Sequence, residues 1–326
     1  MSPISSHSME RNSDRPKPAW LIAILFAVAM IFSAGVAADP VKLLFFVSKP
    51  TKDYLEVLHT IQQDLDDKFP SKYHAAVQFV SDQTAYDNQI AAANLIVTIG
   101  TAAADTAYQY KPNVPIISVL ITDSSFASMA SKHYGSIDQA LANRVSAICI
   151  DQPTSRSIDL AKLLLPGAKK LGMMLGPSST NLQPELTTMI SDKGMDSEFV
   201  VIAPSDNPIV KIEPVMRESD IFIPVPDNRL INIATAKWIL HLSYRHKVPV
   251  IAFSRSYLSA GALAAIYSSP ENVAMQTSEW IADRATSPSG AGGAYQPKYF
   301  SIHFNYSVAA SLNIPLKTEQ FYRERL

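Results

Sequence analysis

Between residues 41 and 122, four apolar runs alternate with segments of helical periodicity. The runs are "VKLLFFVS" (41–48), "AAVQFVS" (75–81), "LIVTIG" (95–100) and "VPIISVLIT" (114–122). Short, nearly continuous apolar runs predict strands buried on both faces. Between the first two, "DYLEVLHTIQQDLDDKF" (53–69) puts Leu55, Leu58, Ile61 and Leu65 at helical spacing. "TAAADTAYQY" (101–110) is a second predicted helix, ended by Pro112. A β-α-β-α-β order with short loops allows few solutions. The favoured one is α/β, an open parallel sheet with helices on both faces.

The pattern restarts after "VSAICID" (145–151). Helix-like "SRSIDLAKLLLPG", "LQPELTTMISDKG" and "NRLINIATAKWILHLSYRHK" alternate with strand-like "KKLGMMLG" (169–176), "EFVVIA" (198–203), "SDIFIPV" (219–225) and "VPVIAFS" (248–254). "ALAAIYSS" (262–269), a helix through "ENVAMQTSEWIADRA" and "YFSIHFN" (299–305) complete the chain. Two similar α/β halves of domain size are expected. The one stretch with linker composition is "TSPSGAGGAYQP" (286–297).

The first 38 residues differ in kind. Arg11, Arg15 and Lys17 precede the uncharged "AWLIAILFAVAMIF" (19–32), and "SAGVAADP" follows. Val36 and Ala38 fit the small-residue pattern of a cleavage site before Asp39, so a secretory signal peptide over 1–38 is expected. An uncleaved anchor is the alternative, because the apolar run approaches the ~20 residues a span requires. The only cysteine, Cys149, can form no intramolecular disulfide, and none follows the apolar run as a lipid-anchor site would need. An exported chain without disulfides suits a bacterial periplasm. A net charge of −1 without a basic cluster argues against nucleic acid as a partner.

In open α/β sheets ligands sit beyond the carboxyl ends of the strands. Those ends read "SKPT" (48–51), "GTAA" (100–103), "TDSS" (122–125), "DQPTS" (151–155), "GPSSTN" (176–181), "PDN" (226–228) and "SRSY" (254–257). Ser48, Thr51, Gln152, Ser178 and Tyr257 are candidates by this position. At Gly100-Thr101-Ala102-Ala103 an apolar run passes directly into a helix. Its first N–H groups are unpaired and carry partial positive charge, which suits a ligand carboxylate. Thr101 either adds a hydroxyl to that site or caps the helix. Asp227 or Asp123 would meet a positive group on the same ligand. Tyr54, Phe126 and Tyr257 either stack on a planar ligand or pack on their own helices.

Enzyme motifs are missing from the sequence. "GTAAAD" has one glycine where a dinucleotide fingerprint needs three, and there is neither a Walker lysine loop nor a Gly-x-Ser-x-Gly elbow. His241 and His246 are five apart, off the spacing of a helical metal pair. Asp123, Asp151 and Asp227 could serve as bases, but no nucleophile stands beside them. Cys149 reads as a buried small hydrophobe. No cofactor and no metal site is expected.

The segments "LIVTIGTAAADTA", "PIISVLITD", "LAKLLLPGAKKLGMMLGPSS", "SDIFIPVPDNRLIN", "KVPVIAFSRSYLSAGALAAIYSSPENVAMQTSEWIA" and "YFSIHFNYSVAASLNIPL", in this order, resemble the periplasmic substrate-binding proteins of the uncharacterised ABC-transporter family, whose better-known members resemble a tryptophan or tyrosine binder. The resemblance spans about residues 41 to 316. It implies the type I periplasmic-binding fold, with two Rossmann-like lobes, three crossings and a ligand trapped between them. Mapped on this sequence, the first lobe is 39–147 plus 256–288 and the second 148–255 plus 289–326, with 286–297 as the last crossing. By the same resemblance Gly100, Thr101 and Ala102 contact ligand, and Thr122, Asp123, Asp227, Asn228 and Ser254 face the cleft. The implied partners are a small polar or amino-acid-like ligand and an ABC permease of the inner membrane, with the protein itself a monomer. The family's Asn-x-Thr-Gly pattern is replaced by "ANRVSAICIDQPTSR" (142–156), as in a subset marked by Asp-Gln-Pro. For that subset a ligand-responsive signalling role without a transporter is the alternative.

Overall fold

The computed structural model describes residues 39–80, 86–203, 205–227, 229–286 and 290–326. The expected signal segment 1–38 and Asn228 lie outside the described residues. Among those described, no helix is long and apolar enough to cross a membrane.

The first half begins with β1 (Val41–Val47), α1 (Lys52–Lys68), β2 (Tyr73–Phe79), α2 (Asp87–Ala92), β3 (Leu95–Ile99), α3 (Thr101–Tyr110) and β4 (Ile116–Ile121). Then come α4 (Asp123–Tyr134), α5 (Ile137–Ala142) and β5 (Val145–Cys149). Its sheet is parallel, in the order β11-β5-β4-β3-β1-β2, where β11 is Ala294–Tyr295. Strand period decides which core each side chain joins. Leu43, Phe45 and Val47 of β1 face one side, against Leu58, Ile61 and Leu65 of α1 and Val273 and Ile281 further along the chain. Leu44 and Phe46 face the other, against Ala103, Ala104, Ala107 and Tyr108 of α3. The alanines let α3 lie close to the sheet.

The second half runs α6 (Thr154–Leu164), β6 (Lys170–Leu175), α7 (Gln183–Asp192), β7 (Asp196–Val201), α8 (Pro208–Glu218), β8 (Ile221–Pro224), α9 (Ile233–His246), β9 (Ile251–Ala252), α10 (Arg255–Ala260) and β10 (Ala264–Tyr267). Helix α11 (Pro270–Thr286), β11, β12 (Ser301–Phe304), α12 (Tyr306–Ser311) and α13 (Glu319–Arg323) end the chain. Strands β7-β6-β8 form one group and β9-β10-β12 another, linked by a parallel bridge between Phe222 and Val250. Among the described strands of this half, only β12 is antiparallel, on β10.

The structure departs from the sequence reading in four places. Residues 256–267 were expected in the first half. They instead supply α10 and β10, and β10 is held by β9 and β12. The chain returns to the first core only with α11, where Val273, Ala274 and Ile281 are buried. The expected strand 248–254 shrinks to Ile251–Ala252, since Pro249 has no N–H and Val248 N–H is taken by the Ser243 carbonyl at the end of α9. Helix α9 starts late, capped by Asn232 Oδ1, which accepts from Thr235 N–H. The glycine-rich stretch 286–297 is anchored where it is described. Ala147 N–H donates to the Gly293 carbonyl and Gly292 N–H to the Leu141 carbonyl. Gly292 lies so close to the Val145 carbonyl that no Cβ fits there. Its glycines serve close approach to β5.

Candidate functional site

The carboxyl ends of β4 and β5 meet those of β6 and β8 across a cavity of about 430 Å³. The first sheet contributes Asp123 and Ser124 at the start of α4, and Asp151, Gln152, Pro153, Thr154 and Ser155 leading into α6. The second sheet contributes Ser178, Ser179, Val225, Pro226 and Asp227 from loops, Leu182 just before α7, and Glu185 and Met189 along it. Gln296 closes the rim beside β11. Among the described lining residues are four carboxylates and five hydroxyls, with no lysine or arginine.

Two of the acids are already engaged. Asp227 is 4% exposed. Its Oδ2 accepts from Ser178 N–H at 2.8 Å and Ser179 Oγ at 2.9 Å, and its Oδ1 accepts from Arg229 N–H at 3.0 Å. It therefore ties the loop after β6 to the loop after β8. Asp151 Oδ2 accepts from Asp123 N–H at 2.7 Å. Burial raises the Asp151 carboxyl above its ordinary value and the charge of Asp123 adds to this, while the N–H bond from Asp123 opposes it. Asp123 and Glu185 are exposed to the space. Cys149, beneath them, has its thiol pushed far up, by burial first and then by the hydrogen bond and charge of Asp123. A thiol held protonated is no nucleophile.

The helix N-termini at this edge differ in who occupies them. At α3, Ser48 Oγ accepts from Ala103 N–H at 2.9 Å, and Tyr54 packs over Gly100. Gly100 itself has φ 88°, open to glycine without strain. At α4, Thr122 Oγ1 accepts from Ser125 N–H, and Asp151 takes that of Asp123. At α6 the N-cap is Pro153, which has no side-chain cap to offer. The N-terminus of α6, with the Thr154 and Ser155 hydroxyls, opens on the cavity.

Of the residues singled out in the sequence, the cavity gathers Asp123, Gln152, Ser178 and Asp227. Thr122 caps α4 behind it. Ser48, Thr51, Gly100, Thr101, Ala102 and Ala103 lie at the same sheet edge but not in its lining. At the α3 turn, where an anion site was expected, the Ala103 N–H is given to Ser48 Oγ. Ser254 caps α10, accepting from Tyr257 N–H. Tyr257 is 5% exposed, its ring against Phe253 among Met174, Val200 and Phe222, which makes it a packing residue. Phe126 is likewise buried in the core, against Phe46 and Ile121. Thr154, Ser155 and Ser179 stood in the strand-end segments without being singled out, and Asp151 was considered there only as a base. Leu182, Glu185 and Met189 were missed, although their spacing puts them on one helical face.

Three chain passages connect the sheets, and they are bonded to one another. Gln152 Nε2 donates to Ser268 Oγ at 2.7 Å, and Ser268 Oγ donates to the Ile150 carbonyl at 3.1 Å. Arg156 Nη1 donates to Gln152 Oε1 at 2.6 Å and to the Pro297 carbonyl at 2.9 Å. The passages are thus 150–153, 268–269 and 296–300.

Residues 54–283 match the family model described as ABC transporter substrate binding protein. A tyrosine-binding protein of Clostridioides difficile (strain R20291) is 26% identical over 205 residues, 62% of this chain and 55% of that protein. The chain thus spans about half the length of the curated relative it matches. The ligand-free, open structure of a substrate binding protein with adhesive properties from Clostridium difficile aligns with TM-score 0.65 at 18% identity, over 85% of this chain and 96% of that one. An ABC domain from Streptococcus pneumonia in complex with L-Trp aligns with TM-score 0.52 at 18% identity, over 87% and 98%. The shared architecture is the type I periplasmic-binding fold.

Proposed function

We propose, from the premise that this chain belongs to the ABC transporter substrate binding protein family, that it captures a small ligand bearing an ammonium group and hands it to a membrane permease outside the cytoplasm. The observation that carries this reading is the cavity between the two sheets, lined by Asp123, Asp151, Glu185 and Asp227 with no basic residue among its described lining residues. A ligand entering such a space loses hydration, and fixed carboxylates and hydroxyls replace it best for a cation. The uncapped start of α6 favours a carboxylate on the same ligand, 11 residues of helix adding their dipole. Together these suit an amino-acid-like zwitterion. The tyrosine-binding relative makes tyrosine the first compound to try. An apolar side group would lie on Leu182, Met189 and Val225.

The two halves act as lobes, divided at the three passages 150–153, 268–269 and 296–300, and ligand draws them together. Nothing in this reading requires catalysis. Export with removal of residues 1–38 accounts for the apolar N-terminal run and the single cysteine. Isothermal titration with tyrosine, tryptophan and the corresponding amines and deaminated acids tests the ligand class. Binding by compounds with the ammonium and none by the deaminated acids is expected. Tight binding of a deaminated acid would overturn the assignment of the carboxylates.

A further inference from the structure

Strand β2 is one of the two outer strands of the first sheet, and among the described residues nothing pairs with its free side. Four of its residues in a row, His74 to Val77, are exposed, with Val77 at 39%. Val41 N–H donates to the Lys72 carbonyl. By the alternation of a parallel ladder, the backbone groups of His74, Ala76 and Gln78 then turn toward β1, and those of Tyr73, Ala75, Val77 and Phe79 turn outward. Among the described residues, the Phe79 carbonyl accepts from Gln78 Nε2 at 3.2 Å. One outer strand of the other sheet, β7, carries Asp196 and Glu198, charges that discourage strand addition. β2, "YHAAVQF", carries no carboxylate, lysine, arginine or proline.

Both faces beside β2 are hollow. A cavity of about 340 Å³ on one face is lined by His74, Ala76 and Gln89, and Gln89 Oε1 is buried without a partner. A cavity of about 290 Å³ on the other is lined by Tyr73, Ala75 and Leu65, and the buried Tyr73 hydroxyl is also without a partner. An added strand sends alternate side chains to alternate faces, which is what two such hollows receive.

We propose that β2 pairs with β2 of a second copy of this chain, antiparallel about a two-fold axis through Ala76. The sequence reads nearly the same from both ends about that residue. Tyr73 opposes Phe79, His74 opposes Gln78, Ala75 opposes Val77, and Ala76 opposes itself. Aromatic meets aromatic on one face and imidazole meets amide on the other. Neither strand brings a full charge, so two copies meet without like-charge repulsion. Backbone parity agrees. With the axis at Ala76, every residue with outward N–H and C=O faces another such residue, and each opposed pair exchanges two bonds. Ala76 then falls at a non-hydrogen-bonded pair, where Cα atoms come within about 4.5 Å and a small side chain is needed. The same surface serves both copies, as a closed two-fold dimer requires. The monomer expected from the family resemblance is replaced by a dimer with one sheet continuous across both copies.

Sedimentation velocity over a wide concentration range tests this with the chain as the cell processes it. A monomer–dimer equilibrium is expected. Val77→Lys adds like charges beside the axis and should weaken the dimer at least about 10-fold, with an unchanged circular dichroism spectrum. Ala76→Cys gives a second readout, because about 4.5 Å between Cα atoms lies within disulfide range. Mild oxidation should cross-link this variant to a covalent dimer, while the buried Cys149 of the parent does not cross-link. A parent that stays monomeric at all concentrations overturns the proposal. So does a dimer indifferent to Val77→Lys together with no cross-link in Ala76→Cys, or an Ala76→Cys variant whose new thiol couples only to a different protein.

Discussion

Asp123 gives its backbone N–H to Oδ2 of Asp151 over 2.7 Å, so the first turn of α4 is clamped to the strand end that leads into α6. Both carboxylates line the cavity, that of Asp123 exposed and that of Asp151 the more buried. One residue therefore gives its backbone to this clamp while its side chain lines the cavity.

Asp123→Asn keeps that backbone bond and removes the side chain's charge. A hydrogen bond to a charged group contributes roughly 1.5–3 kcal/mol. Affinity for an ammonium-bearing ligand should fall about 10- to 100-fold, with little change in melting temperature. Titration calorimetry beside differential scanning calorimetry checks both halves.

Asp151 should make stability depend on pH. Its folded value is raised above 3.8, with burial as the largest cause. Its contribution to stability is then full below the unfolded value and is lost as pH rises through the folded one. Asp151→Asn should therefore melt higher than the parent at neutral pH, and the gap should close on acidification toward the ordinary carboxylate range. A gap independent of pH would show that the carboxyl ionises freely.

Ser48→Ala and Thr101→Ala should separate capping from binding. Ser48 Oγ accepts the Ala103 N–H at the α3 turn, and loss of such a cap costs about 0.5–2 kcal/mol. Thr101 is exposed and lies outside the cavity lining. Ser48→Ala should lower the melting temperature without changing affinity, and Thr101→Ala should change neither. Loss of affinity in Thr101→Ala would restore the α3 turn as a ligand contact.

Gly292→Ala should destabilise the first sheet. The new Cβ would meet the Val145 carbonyl, so the segment before β11 would have to move off β5. Overpacking of this kind costs typically about 1–3 kcal/mol. Denaturant unfolding of Gly292→Ala beside Gly167→Ala, whose Cβ would meet nothing within 4 Å, isolates the clash from a general glycine effect.

The sequence by itself determined the α/β class and the strands. Runs such as "VKLLFFV" and "LIVTI" are buried on both faces, and a period of two divides their residues between the two cores. It also pointed to the carboxyl ends, where the structure has the cavity, since loop composition there is local information. It could not say which ends would face each other. Gly100-Thr101 and Asp151-Gln152 look equally suited in one dimension. Only the tertiary structure brings Ser48 to the first and leaves Pro153 uncapped at the second. Leu182, Glu185 and Met189 join the cavity because α7 lies across it, and their own segment reads as an ordinary amphipathic helix. The passages moved for the same reason. Residues 256–267 carry no mark of which sheet they join, and pairing of β10 with β9 and β12 settles it. Local pattern encodes elements because it acts through near neighbours on the chain. Site membership and sheet order depend on contacts between distant residues, and those exist only once the chain has folded.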